Sequence, residues 1–344
     1  MNLYIHFPTN LEIFRLFAEN RDYIFNSNSE KDVMKFFSEF YKGELIEKLS
    51  TQYMVNIKTL KQLKAIKNNC FNDISIYYSD NCEFLTPTIQ ELNEALELFY
   101  KTKKEYKYQK AEFILVTPYC SNNSIQKVKD LLDELNERKK SNKTFEVVIN
   151  DFLIKYKKDK ELNHIKFIFR YLHKLIKRQS YSLNNTLLPE IKNKANSREQ
   201  IEYKEKSIKN QIEFYSDCPV TSIFYQNFLK RNEVERVALE YIEKREDLYT
   251  KDFNFIDLYY PWSILITRLC DTSIEQVKRK YHALDICPRL CQKYDLFYTI
   301  DKSDIDKNPV QRNTWMENSD LSYLKNEFIE NKNNRIIFEP FIPV

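Results

Sequence analysis

The chemistry available to this chain is concentrated in its thiols. Three of seven cysteines, Cys270, Cys287 and Cys291, fall in TRLCDTSIEQVKRKYHALDICPRLCQKYDLF, with sixteen residues between the first two and three between the last two. A deprotonated thiol is a soft metal ligand. This spacing lacks the paired short intervals of zinc ribbons, and His282 is the one imidazole nearby, so a finger-type site is not expected. A thiolate-only set suits zinc or an iron–sulfur cluster. The fourth ligand must then come from elsewhere, and the best candidate is Cys82, which follows the apolar run of ISIYYSDNCEFL. Arg268 and Arg289 flank the three-cysteine segment and would offset the negative charge of a four-thiolate cubane. Simple burial competes with this reading, because free cysteine is among the most buried residue types.

Other residues carry weaker signals. Asn150 and Asp151 end the run FEVVIND. The amide is a candidate for a substrate pocket, whereas the carboxylate suits the cap of a following helix. Glu240, in VALEYI, faces a barrel interior in one of its two registers, and an inward carboxylate must be paired or used. Cys120 and Cys218 also end strand-like runs and either line a cavity or pack as small apolar groups. Cys70 has no chemical argument behind it. His164, His173 and the basic run HKLIKR read as satisfied or solvated groups in a lysine-rich background.

Composition excludes several classes. Gly43 is the only glycine, so neither a P-loop nor a dinucleotide fingerprint can be built. The net charge of +4 is too small to mark a nucleic-acid binder by itself. No run of 18 apolar residues occurs, so no membrane span is expected. The opening MNLYIHFPTNLEIF lacks a basic region followed by an apolar one, which points to the cytoplasm and to reduced thiols. No Ser/His/Asp arrangement, H-E-x-x-H or G-x-S-x-G supports a protease.

The elements that must position these residues alternate along the chain. Strand-like runs at 3–7, 73–79, 111–117, 145–151 and 165–170 are interspersed with helical patterns at 88–104 and 124–140, the second opening on Ser124 as a candidate N-cap. The first pattern carries Ile89, Leu92, Leu96 and Phe99 on one face. Residues 180–210 are polar and read as an insertion; the rhythm resumes at 234–242 and 253–270 and closes on 335–343. Repeated βα units without fingerprint glycines predict an α/β fold. The expected form is a single atypical β/α barrel of mostly parallel strands over 1–344, with 180–210 inserted and a C-terminal extension, 271–344, that binds the cluster and closes the fold. Strand ends at one mouth would then bring Cys82 and Cys270 together.

The chain resembles the U-thirty-two peptidase family, also called collagenase-like peptidases. The similarity lies in VTPYCSNNSIQKVKDLLDEL followed by FEVVINDF, in VERVALEYI, in LYYPWSILITRLC, in CPRLCQKYDLF and in NRIIFEPFIP, taken in that order over most of residues 70–344. Within the family, the cysteine pattern is nearest to the iron–sulfur proteins of oxygen-independent ubiquinone hydroxylation. The resemblance implies a 4Fe–4S cluster on Cys82, Cys270, Cys287 and Cys291, with zinc as the alternative. It also implies a hydroxylase or related oxidoreductase acting on a small metabolite, a peptide or RNA. The alternative is a non-catalytic iron–sulfur subunit, and association with a paralogue or with itself is expected in either case. The scarcity of glycine and the 180–210 segment depart from the family pattern.

Overall fold

The computed structural model describes residues 2–7, 11–26, 29–39, 44–62, 75–79, 85–105, 111–118, 120, 125–138, 144–149, 153–170, 197–216, 223–240, 255–266, 297–298, 310–311, 314–317, 321, 324 and 326–340. The chain divides into two compact units: Met1–Arg170 with Val234–Val344, and Tyr171–Glu233.

The first unit is built on a closed barrel of eight parallel strands. These are β1 (Asn2–Phe7), β2 (Ser75–Tyr78), β3 (Phe113–Val116), β4 (Phe145–Ile149), β5 (Ile165–Arg170), β6 (Arg236–Glu240), β7 (Phe255–Tyr260) and β12 (Arg335–Phe338). They follow one another around the barrel in chain order, and β12 closes it against β1. This is the α/β barrel expected from the alternating pattern. The remaining strands lie outside the barrel: β8 (Trp262–Ile266) pairs antiparallel with β11 (Thr314–Glu317), and β9 (Phe297–Tyr298) with β10 (Val310–Gln311). The run 253–270 is therefore two strands. Pro261 lacks the N–H that a continuing strand would need and stands between β7 and β8.

Helices fill the connections. The link from β1 to β2 carries α1 (Leu11–Asn26), α2 (Glu30–Phe37) and α3 (Glu44–Gln62). Helix α3 buries Leu49, Tyr53, Asn56, Ile57 and Leu60 at helical spacing. Next come α4 (Ile89–Glu105), α5 (Ile125–Glu137) and α6 (Leu153–Asp159). A capping box starts α4: the Glu91 N–H donates to Thr88 Oγ1 at 3.1 Å, and the Thr88 N–H donates to Glu91 Oε2 at 2.7 Å. Its buried face is Leu92, Ala95, Leu96 and Phe99; Ile89, expected on that face, is exposed in the first turn. Ser124 lies outside the described residues. The second unit contains α7 (Arg198–Ser216) and α8 (Ile223–Arg231), and α9 (Asn326–Glu330) leads into β12 in the first.

Outward side chains of the barrel are strongly aromatic. Phe7 meets Phe14 of α1, and Phe338 meets Tyr53 of α3. The Tyr260 hydroxyl donates to buried Asn56 Oδ1 at 2.9 Å. Inside, Tyr4, Tyr77, Ile114, Val116, Val148, Ile168, Ala238, Tyr259 and Ile337 form one packed cluster. Below it, at the N-terminal ends of the strands, the interior is charged. Arg335 contacts Glu146 at 2.7 Å, Glu112 at 3.3 Å and Asp257 at 3.6 Å. Arg236 contacts Asp257 at 2.6 Å and Glu146 at 3.9 Å. The Tyr77 hydroxyl donates to Asp257, the Tyr4 hydroxyl donates to Glu112 at 2.7 Å, and the Arg335 guanidinium lies 4.5 Å from the Tyr4 ring centre.

Desolvation makes each of these ions costly alone, so the network is stable only when complete. Replacing Arg335 by Leu leaves buried Asp257 and part-buried Glu146 with Arg236 as their remaining cation. The expected loss is about 3–5 kcal/mol of unfolding free energy, read by urea titration. Glu146 adds a pH signature. Burial raises its pKa above the ordinary carboxylate value, against the pull of Arg335. The folded chain therefore holds this proton more tightly than the unfolded one. That contribution to stability is present at low pH and is lost as pH rises through the folded-state value. Glu146→Gln should accordingly gain on the wild type as pH rises through the weakly acidic range; a widening deficit there contradicts the sign.

Candidate functional site

At the C-terminal ends of the same strands the interior changes character. Enzymes built on parallel barrels place their chemistry at this end, because the loops that follow the strands converge there. Five residues come together. His6 is the second-last residue of β1, Ser79 follows β2, Arg170 ends β5, Tyr259 is the second-last of β7, and Glu339 follows β12. All five are buried.

His6 is the hub. Its Nδ1 lies 2.8 Å from Glu339 Oε1, and its Nε2 lies 2.7 Å from the Ser79 carbonyl oxygen. Its ring stands edge-on to Tyr259 with centres 5.7 Å apart. On Tyr259 lies Arg170, its guanidinium carbon 3.5 Å from the ring centre, a close cation–π contact. The backbone of Glu339 is held at both ends: its N–H donates to the Tyr260 carbonyl at 2.8 Å, and its carbonyl accepts from Trp262 Nε1 at 3.1 Å. Ser79 has φ of 105°, a conformation that clashes with a Cβ and favours glycine. Its N–H donates to the Phe7 carbonyl at 3.1 Å.

The candidates read from sequence fare differently. Cys82, Cys270, Cys287, Cys291, Cys218, Cys70, Asn150, Asp151 and Arg268 lie outside the described residues. Glu240 is the last residue of β6, paired in register with Tyr259. Cys120 lies beyond β3, half-buried, with its thiol donating to the Pro118 carbonyl at 3.4 Å. The strand that precedes Cys270 is β8, which belongs to the pair with β11 and not to the barrel. The described residues contain no group of three or more His, Cys, Asp or Glu arranged to hold a metal, so a cluster rests on the thiols outside them.

His6, Arg170 and Glu339 were missed by sequence reasoning. The signal was present: each ionisable residue stands at or just past the end of an apolar run, in LYIHF, IKFIFR and RIIFE. Period-two alternation puts His6 on one face with Tyr4, and Arg170 with Ile168. The partnership of His6 with Glu339, 333 positions apart, has no local signature.

A groove of about 480 Å³ lies outside the barrel between α1 and α4, lined by Leu11, Arg15, Glu94, Glu97, Leu98 and Lys101. No strand residue lines it. No helix among the described residues is long and apolar enough to cross a membrane. No known family profile, curated protein or solved structure matches the chain.

The strain at Ser79 is open to measurement. Comparing Ser79→Gly with Ser79→Ala cancels the loss of the hydroxyl and isolates the backbone. Glycine should be the more stable of the two by about 1 kcal/mol in chemical unfolding. Equal stabilities, or a more stable alanine variant, would show that the positive φ carries no cost.

Proposed function

We propose that this chain is a barrel enzyme of the U-thirty-two peptidase-like kind, an iron–sulfur-dependent hydroxylase or related oxidoreductase. Its substrate class is a small metabolite, a peptide or RNA. The observation that carries the reading is the closed parallel barrel with a buried ionisable group, His6, Glu339 and Arg170, at its C-terminal mouth. Ionisable side chains gathered at that end of a barrel are suited to binding and proton handling.

The thiol set supports the cofactor. Cys82 stands four positions beyond Tyr78, the end of β2, and Cys270 four beyond Ile266, the end of β8, with Cys287 and Cys291 following as C-x3-C. Four thiolates are the donors a 4Fe–4S centre takes, and zinc is the alternative occupant. When bound, the cluster would supply one-electron transfer. Arg268 and Arg289, which flank the late thiols in the chain, are the cations suited to offsetting its charge.

A second reading, a partner subunit rather than a self-sufficient enzyme, is favoured by the second unit. Ile223 and Phe224 of α8 are 77% and 74% exposed, and Tyr203 of α7 is 76% exposed. Large apolar side chains in water suit a surface that meets another protein, here a paralogue or a second copy of this chain.

Protein purified without oxygen should be brown and carry about four irons per chain, with serine at Cys82 or Cys287 lowering that content. Colourless protein holding one zinc per chain defeats the cluster reading. Sizing with light scattering, alone and with a paralogue, separates the two roles. A monomer in both conditions that turns over by itself is the self-sufficient enzyme; turnover only in a complex identifies the subunit.

A further inference from the structure

The two hydrogen bonds of His6 make unequal demands on one ring. A neutral imidazole donates through one nitrogen and accepts through the other. The Ser79 carbonyl, 2.7 Å from Nε2, can only accept, so Nε2 must carry a proton. Nδ1 faces Glu339 Oε1 at 2.8 Å. That contact is a hydrogen bond only if a second proton sits on Nδ1, giving imidazolium and carboxylate, or on Oε1, giving imidazole and carboxylic acid. With one proton on the ring and an ionised carboxylate, one of the two short contacts opposes lone pair to lone pair.

We infer that His6 and Glu339 are positioning residues of the mouth: the pair holds two protons and, through them, latches the strained end of β2 to the ends of β1 and β12. This deepens the reading of the C-terminal mouth as the ligand end and rests on it for its functional meaning. When the pair gives up its second proton, one tie must break. Glu339 is held at its own N–H by Tyr260 and at its carbonyl by Trp262, so the end of β12 stays in place. The Ser79 tie is the one under backbone strain, with φ of 105°, and its carbonyl is the group released, while the Ser79 N–H keeps its bond to the Phe7 carbonyl at 3.1 Å. Tyr259 from β7 stands edge-on to His6, and Arg170 from β5 is stacked on Tyr259. The two-proton pair therefore fixes the Ser79 carbonyl, three positions before Cys82 in the chain.

Glu339→Gln is the discriminating variant. A glutamine N–H can donate to a neutral Nδ1 while Nε2 keeps donating to Ser79, so both contacts survive with no second proton. Melting temperatures of wild type and Glu339→Gln, without any cluster, are compared from about pH 5 to about pH 9. The wild type should lose ground to the variant as pH rises, by about 3 °C across that range. Parallel curves overturn the inference. If the glutamine variant does not fold, nitrogen-15 spectra of a chain whose His164, His173 and His282 are replaced by Gln decide the matter, with a carbon-13 label on the glutamate carboxyls. Two protonated ring nitrogens, or one facing a neutral Glu339 acid, support the latch. One protonated nitrogen beside an ionised Glu339 at acid and neutral pH defeats it. Neither readout needs iron, so a colourless protein with a latched pair fails the cluster reading alone, and a brown protein with a single ring proton fails the latch alone.

Discussion

The Arg335 guanidinium, closed in by Asp257 from the adjacent strand β7, by Glu146 from β4 across the interior and by Glu112 at the foot of β3, is the interaction on which the barrel depends. It starts the last barrel strand, β12, and reaches Asp257 on β7, Glu146 on β4 and Glu112 ahead of β3. Arg236 on β6 shares two of these partners. Strands far apart in the chain are thereby tied across the interior. Asp257 and Arg335 are buried and would bear a large desolvation cost without partners, whereas Glu112 stands half-exposed at the rim. The network is thus a condition on register as much as a source of stability. A one-residue slip of β12 would carry Arg335 to the outer face, away from its carboxylate partners.

The two ends of the barrel divide the work. At the N-terminal end, two guanidinium groups are shared among three carboxylates, and hydroxyls from Tyr4 and Tyr77 donate to Glu112 and Asp257. The middle layer is apolar and close-packed. At the C-terminal end the same strands present His6, Arg170 and Glu339, together with a serine held in a conformation that glycine would adopt more easily. A strained serine at this end, over a foot locked by charge, suits a site that must be held in a fixed geometry. With a single glycine in the chain, a side-chain-bearing residue occupies the positive-φ position after β2, and the His6 bond to its carbonyl helps to hold it there.

Much of the architecture was legible beforehand. The apolar run FILV, the buried spacing of Val128, Leu131, Leu132 and Leu135, and the Thr88–Glu91 capping box are local patterns whose meaning needs no distant partner. The helices between β1 and β2 carried the same periodicity, in Leu49, Tyr53, Ile57 and Leu60, yet their place in the first βα connection follows only from closure of the barrel. The division of 253–270 into a barrel strand and an outer strand turned on Pro261, a signal present in the sequence and outweighed by the apolar run around it.

The sequence by itself determined the alternation of strand and helix, the exclusion of glycine-dependent phosphate sites, and the crowding of three of seven cysteines into residues 267–297. Those properties depend on residue type and short-range periodicity, which tertiary contacts do not alter. Only the tertiary structure decided that His6 meets Glu339, that Arg170 lies on Tyr259, and that Arg335 is shared among three carboxylates. The physical reason is that a barrel interior is assembled from the ends of strands remote in sequence. Whether a buried charge is a defect or a keystone depends on what the neighbouring strands bring within about 3 Å of it, and no stretch of chain carries that information alone.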